Sequence, residues 1–104
     1  AGADVIAHGG NKGYGAAIQT IMVEAKKRNP DILVILDTDA HAGNGTCEYF
    51  YTDPRVLFID LHQNPTTLYP GTGFADQIGE GKGKGFTVNI PMPVGAGYNS
   101  YQIV

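Results

Sequence analysis

The chain has 104 residues, 42% of them hydrophobic and 16% charged, with a formal net charge of −3, which is enough for one globular domain with its own core and too little for two. Its seven Lys and Arg are dispersed, apart from Lys26-Lys27-Arg28, and form no nucleic-acid-binding stripe. No apolar run approaches the roughly 20 residues that cross a bilayer, and no basic segment precedes an apolar one as in a secretory leader, so the chain reads as soluble and cytoplasmic, with no nucleic-acid or membrane partner.

Ala16, Ala17, Ile18, Ile21, Met22 and Ala25 lie at helical spacing, with Gln19, Thr20, Glu24 and Lys27 on the opposite side. This predicts one amphipathic helix that ends before Asn29-Pro30, with the basic triplet placed to suit the helix dipole. Asp31 to Leu36 and Val56 to Ile59 are near-continuous apolar runs, expected as central strands of a parallel sheet covered on both faces. Between them Thr46 to Tyr51 has room for a helical turn or two, with Tyr49, Phe50 and Tyr51 packing on the sheet, and Thr52-Asp53-Pro54 makes a turn. Cys47, the single cysteine, excludes an internal disulfide and a CxxC site and is expected as a packing residue. A third strand is expected over Phe86 to Ile90, stopped by Pro91 and Pro93. The fold class is therefore α/β with a parallel sheet.

Gln63 to Gly85 is a long polar connection of the kind that carries function. Tyr69-Pro70-Gly71-Thr72-Gly73 specifies turns and offers a tyrosine to a cavity, as an ordered binding loop would. Gly79-Glu80-Gly81-Lys82-Gly83-Lys84-Gly85 superficially resembles a phosphate cradle. No Ser or Thr follows a Gly-Lys pair and no helical pattern succeeds it, so a flexible surface turn is expected. Asn44-Gly45-Thr46 fits a glycosylation acceptor but competes with a role in the loop described next.

The most informative segment is Asp37-Thr38-Asp39-Ala40-His41-Ala42-Gly43-Asn44-Gly45-Thr46, directly after the first apolar strand. Two carboxylates and an imidazole at alternate positions, followed by a Gly-Asn-Gly turn, are what a divalent cation needs where a parallel strand opens into a crevice. Taken alone, Asp-x-His at a strand end serves equally well for capping and turn formation.

The segment Ile35 to Thr46, then Glu48, Phe50-Tyr51 and Asp53 to Gln63, resembles the central block of the zinc-dependent histone deacetylase superfamily, which extends to acetoin-utilisation and acetylpolyamine deacetylases and is related in fold to arginases. The resemblance continues through Tyr69 to Gly73, through Gly79, Gly81, Gly83 and Gly85, and through Val88-Asn89-Ile90-Pro91-Met92-Pro93. It implies a three-layer αβα architecture around a parallel sheet, with residues 1–104 as a single α/β domain corresponding to the central part of a larger deacetylase domain. The start at Ala1 and the end in Tyr98 to Val104, where the family enters another helix, read as cut edges. A fragment, a degenerate product and a short relative that assembles from copies all fit, and open strand edges make self-association into a homo-oligomer an expectation.

By this resemblance Asp39 and His41 match two of three ligands of zinc or another divalent cation. Asp37 matches a carboxylate that helps bind a structural monovalent cation and supports the first histidine of a catalytic pair, and Asn44 matches the residue supporting the second. Asp60, Leu61 and His62 fall at a Ser-Leu-His-like strand end beside the monovalent cation, with aspartate in place of serine. Tyr69, with Gly71 in the turn beside it, matches the wall of an acyl-lysine tunnel, and Tyr14 stands for a second tunnel aromatic. His8 is the sole candidate base in the segment where the family carries tandem histidines. Ala42 replaces a second histidine found in many members, and the family's third metal-binding aspartate and its oxyanion-stabilising tyrosine lie beyond the equivalent of Val104.

The chemistry implied is metal-assisted hydrolysis of an acetylated amine, either acetyl-lysine or an acetylpolyamine. A noncatalytic truncated α/β module of the same ancestry, binding metal weakly or a partner, is the alternative. A two-manganese arginase-like relative is disfavoured, because Gly43 occupies the place of an aspartate in the Asp-x-His-x-Asp pattern.

Overall fold

The computed structural model describes residues 2–103, so Ala1 and Val104, the expected cut edges, lie outside the described residues. The chain divides into two units, Ala1–Pro30 and Asp31–Val104.

The first unit carries helix α1, Tyr14–Arg28. It starts two residues before the apolar face predicted, with Asn11 Oδ1 accepting the Gly13 N–H at 2.8 Å. It stops where expected: Asn29 adopts a left-handed conformation, and its N–H reaches Ala25 O, the usual way to close a helix before a proline. Lys26, Lys27 and Arg28 occupy the last turn, and Arg28 pairs with Asp4 at 2.7 Å.

The second unit is built on strands β1 (Leu33–Asp37), β2 (Val56–Gln63) and β3 (Thr87–Met92), in the order β1-β2-β3 and all parallel. Helix α2, Asn44–Phe50, connects β1 to β2, a single 3-10 turn spans Gly81–Gly83, and helix α3 covers Tyr98–Ile103. Register gives the sheet two unlike faces. One carries Ile35, Phe58 and Thr87 in a row, followed by Asp37, Asp60 and Asn89 in the next. Val56, Phe58, Thr87 and Asn89 on this face are buried, as are Thr46 and Phe50 of α2. The other face is mostly aliphatic, with Val34 and Leu36 beside Leu57 and Ile59, then Val88, Leu61 and Ile90, and ends in the pair Gln63 and Met92.

Two expectations require correction. β1 is not covered on both faces among the described residues: Val34 is 55% and Leu36 62% exposed, while Ile35 between them is buried. The strand is at the edge of this sheet, and α2 lies on the Ile35 side alone. β3 also runs through Pro91 to Met92. Phe58 N donates to Phe86 O and Asn64 N to Met92 O, and in a parallel ladder the bonding residues recur at every second position. Pro91 is out of phase with them, so its missing N–H falls on the outer edge of the strand, where proline is tolerated.

The Gly79–Gly85 segment is also more constrained than a flexible turn. Glu80 N donates to Tyr51 O at 2.9 Å, and a Cβ on Gly83 would lie 2.5 Å from that same oxygen. Glycine is therefore required for the turn to dock on the end of α2.

Phe58, 1% exposed, is the largest side chain of the covered face. Phe58→Ala is expected to destabilise the chain by about 3–5 kcal/mol, read from urea unfolding; a loss under about 1 kcal/mol would mean that this face is not the core. At the entrance to β2, hydrogen bonds from Arg55 hold the Asp53 carboxyl down to about 2. The contribution of this exposed pair is expected to be complete above the ordinary carboxylate value and to fade as pH falls through about 2. Arg55→Ala should move the Asp53 midpoint upward in an NMR titration.

Candidate metal centre

The site forms where β1 ends at the carboxyl edge of the parallel sheet, the place where such sheets open a crevice. Asp37, the last residue of β1, turns the chain by accepting the Asp39 N–H on Oδ1 at 3.1 Å. Asp39 repeats the move two residues on: its Oδ1 accepts the His41 N–H at 2.7 Å and lies 3.1 Å from His41 Nδ1. These successive side-chain-to-backbone turns are what short carboxylates favour outside helices and strands. They leave Asp39 and His41 exposed and side by side. His41, through backbone and side-chain hydrogen bonds, holds the Asp39 carboxyl below its usual range.

The Asp39 oxygen and the His41 nitrogen are 3.1 Å apart. That contact is a hydrogen bond here; to share a divalent cation the pair would give it up, and a carboxylate oxygen and an imidazole nitrogen are the donor types that suit zinc. Among the described residues no group of three or more His, Cys, Asp or Glu converges in a way that would complete such a site.

A buried layer holds this loop from below. Asp60, 1% exposed, accepts the Gly43 N–H on Oδ2 at 2.8 Å. Its Oδ1 lies 3.0 Å from Nδ1 of His62, which is 0% exposed. The direction of that contact falls outside hydrogen-bond geometry, and neither atom has another partner. The opposite ring nitrogen, Nε2, carries a proton and donates it to Gly73 O at 2.8 Å. Burial pushes the Asp60 carboxyl up; the Gly43 N–H and His62 offset part of this, and the like charge of Asp37 adds to it. Gly73 requires glycine, and Gly43 is closely packed, although the nearest atom there is the tip of the Asp37 side chain. A Cβ on Gly43 would stand 2.7 Å from Asp37 Oδ2 and 3.0 Å from Phe58 Cζ, and one on Gly73, at φ +93°, would stand 2.5 Å from His62 Nε2 and 3.0 Å from Ala42 Cβ.

Asn44, exposed, opens α2. With Ala42, Cys47, Asp60, Gly73 and Asn89 it lines a cavity of about 390 Å³. Cys47 in that wall is half-buried, and burial, with Asp60 and Glu48 nearby, pushes its thiol up, away from nucleophilic character. Tyr69 is exposed, and Gly71 follows it in a turn closed by the Gly71 N–H to Leu68 O bond. The structure thus brings Asp37, Asp39, His41, Asn44, Asp60 and His62 to one end of the second unit. His8 and Tyr14 belong to the first unit. There His8 Nε2 lies 2.8 Å from Thr20 Oγ1, and Tyr14 opens α1. The sequence reading missed Gln77, whose side-chain Oε1 accepts the N–H groups of Gly73 and Phe74 at 2.6 and 2.8 Å. Its only signal was a polar residue four positions after Gly73.

The histone deacetylase domain family matches residues 14–104. A probable deacetylase of Archaeoglobus fulgidus is 55% identical over 78 residues, covering 75% of this chain and 21% of that protein. The solved acetylpolyamine aminohydrolase of Burkholderia pseudomallei superposes with a TM-score of 0.63 at 42% identity, over 67% of this chain and 21% of that one. An HDAC homologue from Aquifex aeolicus superposes with a TM-score of 0.64 at 40% identity, over 69% and 20%. The chain thus spans about a fifth of the length of these relatives, and its three parallel strands with their helices have their α/β fold.

Removing the buried carboxylate leaves the Gly43 N–H and the His62 ring without their partner. Asp60→Ala is expected to cost about 3–5 kcal/mol in urea unfolding, and Asp60→Asn, which keeps an acceptor oxygen, less. Equal, small losses for both would show that the carboxylate does not hold the loop.

Proposed function

Because this chain belongs to the histone deacetylase domain family, we propose that its Asp39–His41 loop is part of a divalent-metal site, zinc in the first instance, for hydrolysis of acetylated amines. The observation that carries this reading is the placing of the Asp39 carboxylate and the His41 imidazole, both exposed and side by side, at the carboxyl end of a parallel strand. A cation bound there supplies Lewis-acid polarisation of an acyl carbonyl and a lowered pKa for bound water. The chain's own residues orient and neutralise. Asp37 sets the turn that presents Asp39, and Asp39 in turn fixes His41. Asn44 lies at the cavity rim, in position to orient a group doing proton work. The exposed ring of Tyr69 offers an apolar wall to an extended alkyl chain, with Gly71 leaving room beside it. Asp37 and Asp60 repel one another, and a structural monovalent cation near them would relieve that repulsion. Acetylated amines are the substrate class supported by the resemblance to an acetylpolyamine aminohydrolase; acetyl-lysine and acetylpolyamine both belong to it.

A second reading, a noncatalytic α/β module, is favoured by one observation: among the described residues no third ligand joins Asp39 and His41. Zinc titration calorimetry on the chain and on an Asp39→Ala, His41→Ala double variant tests the metal site. Binding weakened about tenfold or more in the variant is expected; unchanged binding would exclude the loop. Turnover of an acetyl-lysine peptide or an acetylpolyamine by the zinc-loaded chain, lost in Asp39→Ala, would select the hydrolase.

A further inference from the structure

The Asp39–His41 loop does not stand on β1 alone. From Gly43 the hydrogen bonds descend to Asp60 Oδ2, across the 3.0 Å contact to His62, and out through His62 Nε2 to Gly73 O. Gly73 is in turn held by Gln77. The Gln77 Oε1 atom takes two successive backbone N–H groups, from Gly73 and Phe74, while the Gln77 main-chain N–H bonds Phe74 O. This closes residues 73–77 into a small ring. Asn89, the register partner of Asp60 on β3, anchors the ring by donating Nδ2 to Gln77 O at 2.8 Å. A carbonyl such as Gly73 O, inside a loop rich in glycine, has no fixed direction of its own. Here its direction decides where a buried imidazole sits, and the imidazole flanks the carboxylate that holds the metal loop.

We propose that Gln77 is a positioning residue for the Asp39–His41 loop: by clamping Gly73 it aims Gly73 O at His62, and through His62 and Asp60 it sets the backbone at Gly43. The link to metal binding rests on the function proposed above; the mechanical coupling from position 77 to position 43 does not.

The test uses the full chain in solution and three variants, Gln77→Leu, Gln77→Glu and Asn89→Ser, with backbone amide and histidine ring nitrogen signals read by NMR, urea midpoints recorded in parallel, and zinc as the ligand. Gln77→Leu has nearly the same size but no acceptor, whereas Gln77→Glu keeps an oxygen at the same reach. The expected result is that Gln77→Leu moves the Gly43 amide and the His62 ring signals and weakens zinc binding about tenfold, and that Gln77→Glu restores both toward the parent values. A change confined to Gly73, Phe74 and their neighbours, with Gly43 and His62 unmoved, would overturn the proposal, as would a Gln77→Glu variant as altered at Gly43 as Gln77→Leu. Asn89→Ser, which loosens the anchor and leaves the clamp, is expected to produce a smaller shift of the same signals. If Gln77→Leu does not fold, Gln77→Glu decides: parent-like Gly43 and His62 signals support the clamp, and displaced ones with intact Gly73 and Phe74 amides refute it. If the parent chain takes up no zinc, the reading of the metal site fails while the Gly43 and His62 signals still judge the coupling.

Discussion

A carboxylate taken out of water must be compensated, and Asp60 is the buried carboxylate on which the functional end of this chain depends. It is almost wholly buried on β2, and its compensation comes from the Gly43 N–H and the His62 ring. The compensation is incomplete: burial still raises the carboxyl above its usual range, and Oδ1 and His62 Nδ1 face each other out of hydrogen-bond alignment. Polar groups held in this way are costly to disturb from either side, so the loop cannot shift at Gly43 without stranding Asp60. The two glycines at the ends of the layer show how closely the parts fit: a Cβ at Gly73 would run into the His62 ring, and one at Gly43 would push the Asp37 carboxylate aside.

Above that layer the exposed pair, Asp39 and His41, is built by local rules. A strand-end carboxylate folds back on the N–H two residues later, twice in succession, and side chains at alternate positions come to the same side. The parallel register puts Asp37, Asp60 and Asn89 in one row across three strands, so the polar groups that brace the loop share a face with the hydrophobic core of Ile35 and Phe58. Stability and the candidate chemistry therefore draw on the same side of the sheet. The opposite side is mostly aliphatic, and on β1 it is open among the described residues.

Much of this was legible in the residues. The helix stop at Asn29-Pro30, the two parallel strands and the short helix between them follow from apolar runs, a proline and the spacing of turn formers, and the Asp-x-Asp-x-His run announced the loop. Less was legible where pairing partners decide. Continuous aliphatics at Val34 and Leu36 signal two-sided burial but cannot say which residues supply the cover. Pro91 reads as a strand stop until the ladder shows it out of phase with the bonding positions. Gly79 to Gly85 reads as slack chain, and only the closeness of Gly83 to Tyr51 O reveals why glycine is required. His62 and Asp60 could be picked out from a resemblance, but their contact, and the clamp at Gln77 behind them, depend on a fold-back of the 63–85 connection that no local pattern encodes.

Whether Asp39 and His41 share one cation is the question that bears most directly on what this chain does. X-ray absorption at the zinc edge, recorded on the zinc-loaded chain and on its His41→Ala variant, answers it at the level of ligand atoms. An imidazole scattering signature in the parent chain, lost in the variant, is the expected result. A zinc environment of oxygen scatterers alone, unchanged when His41 is removed, would contradict a metal site built on this loop.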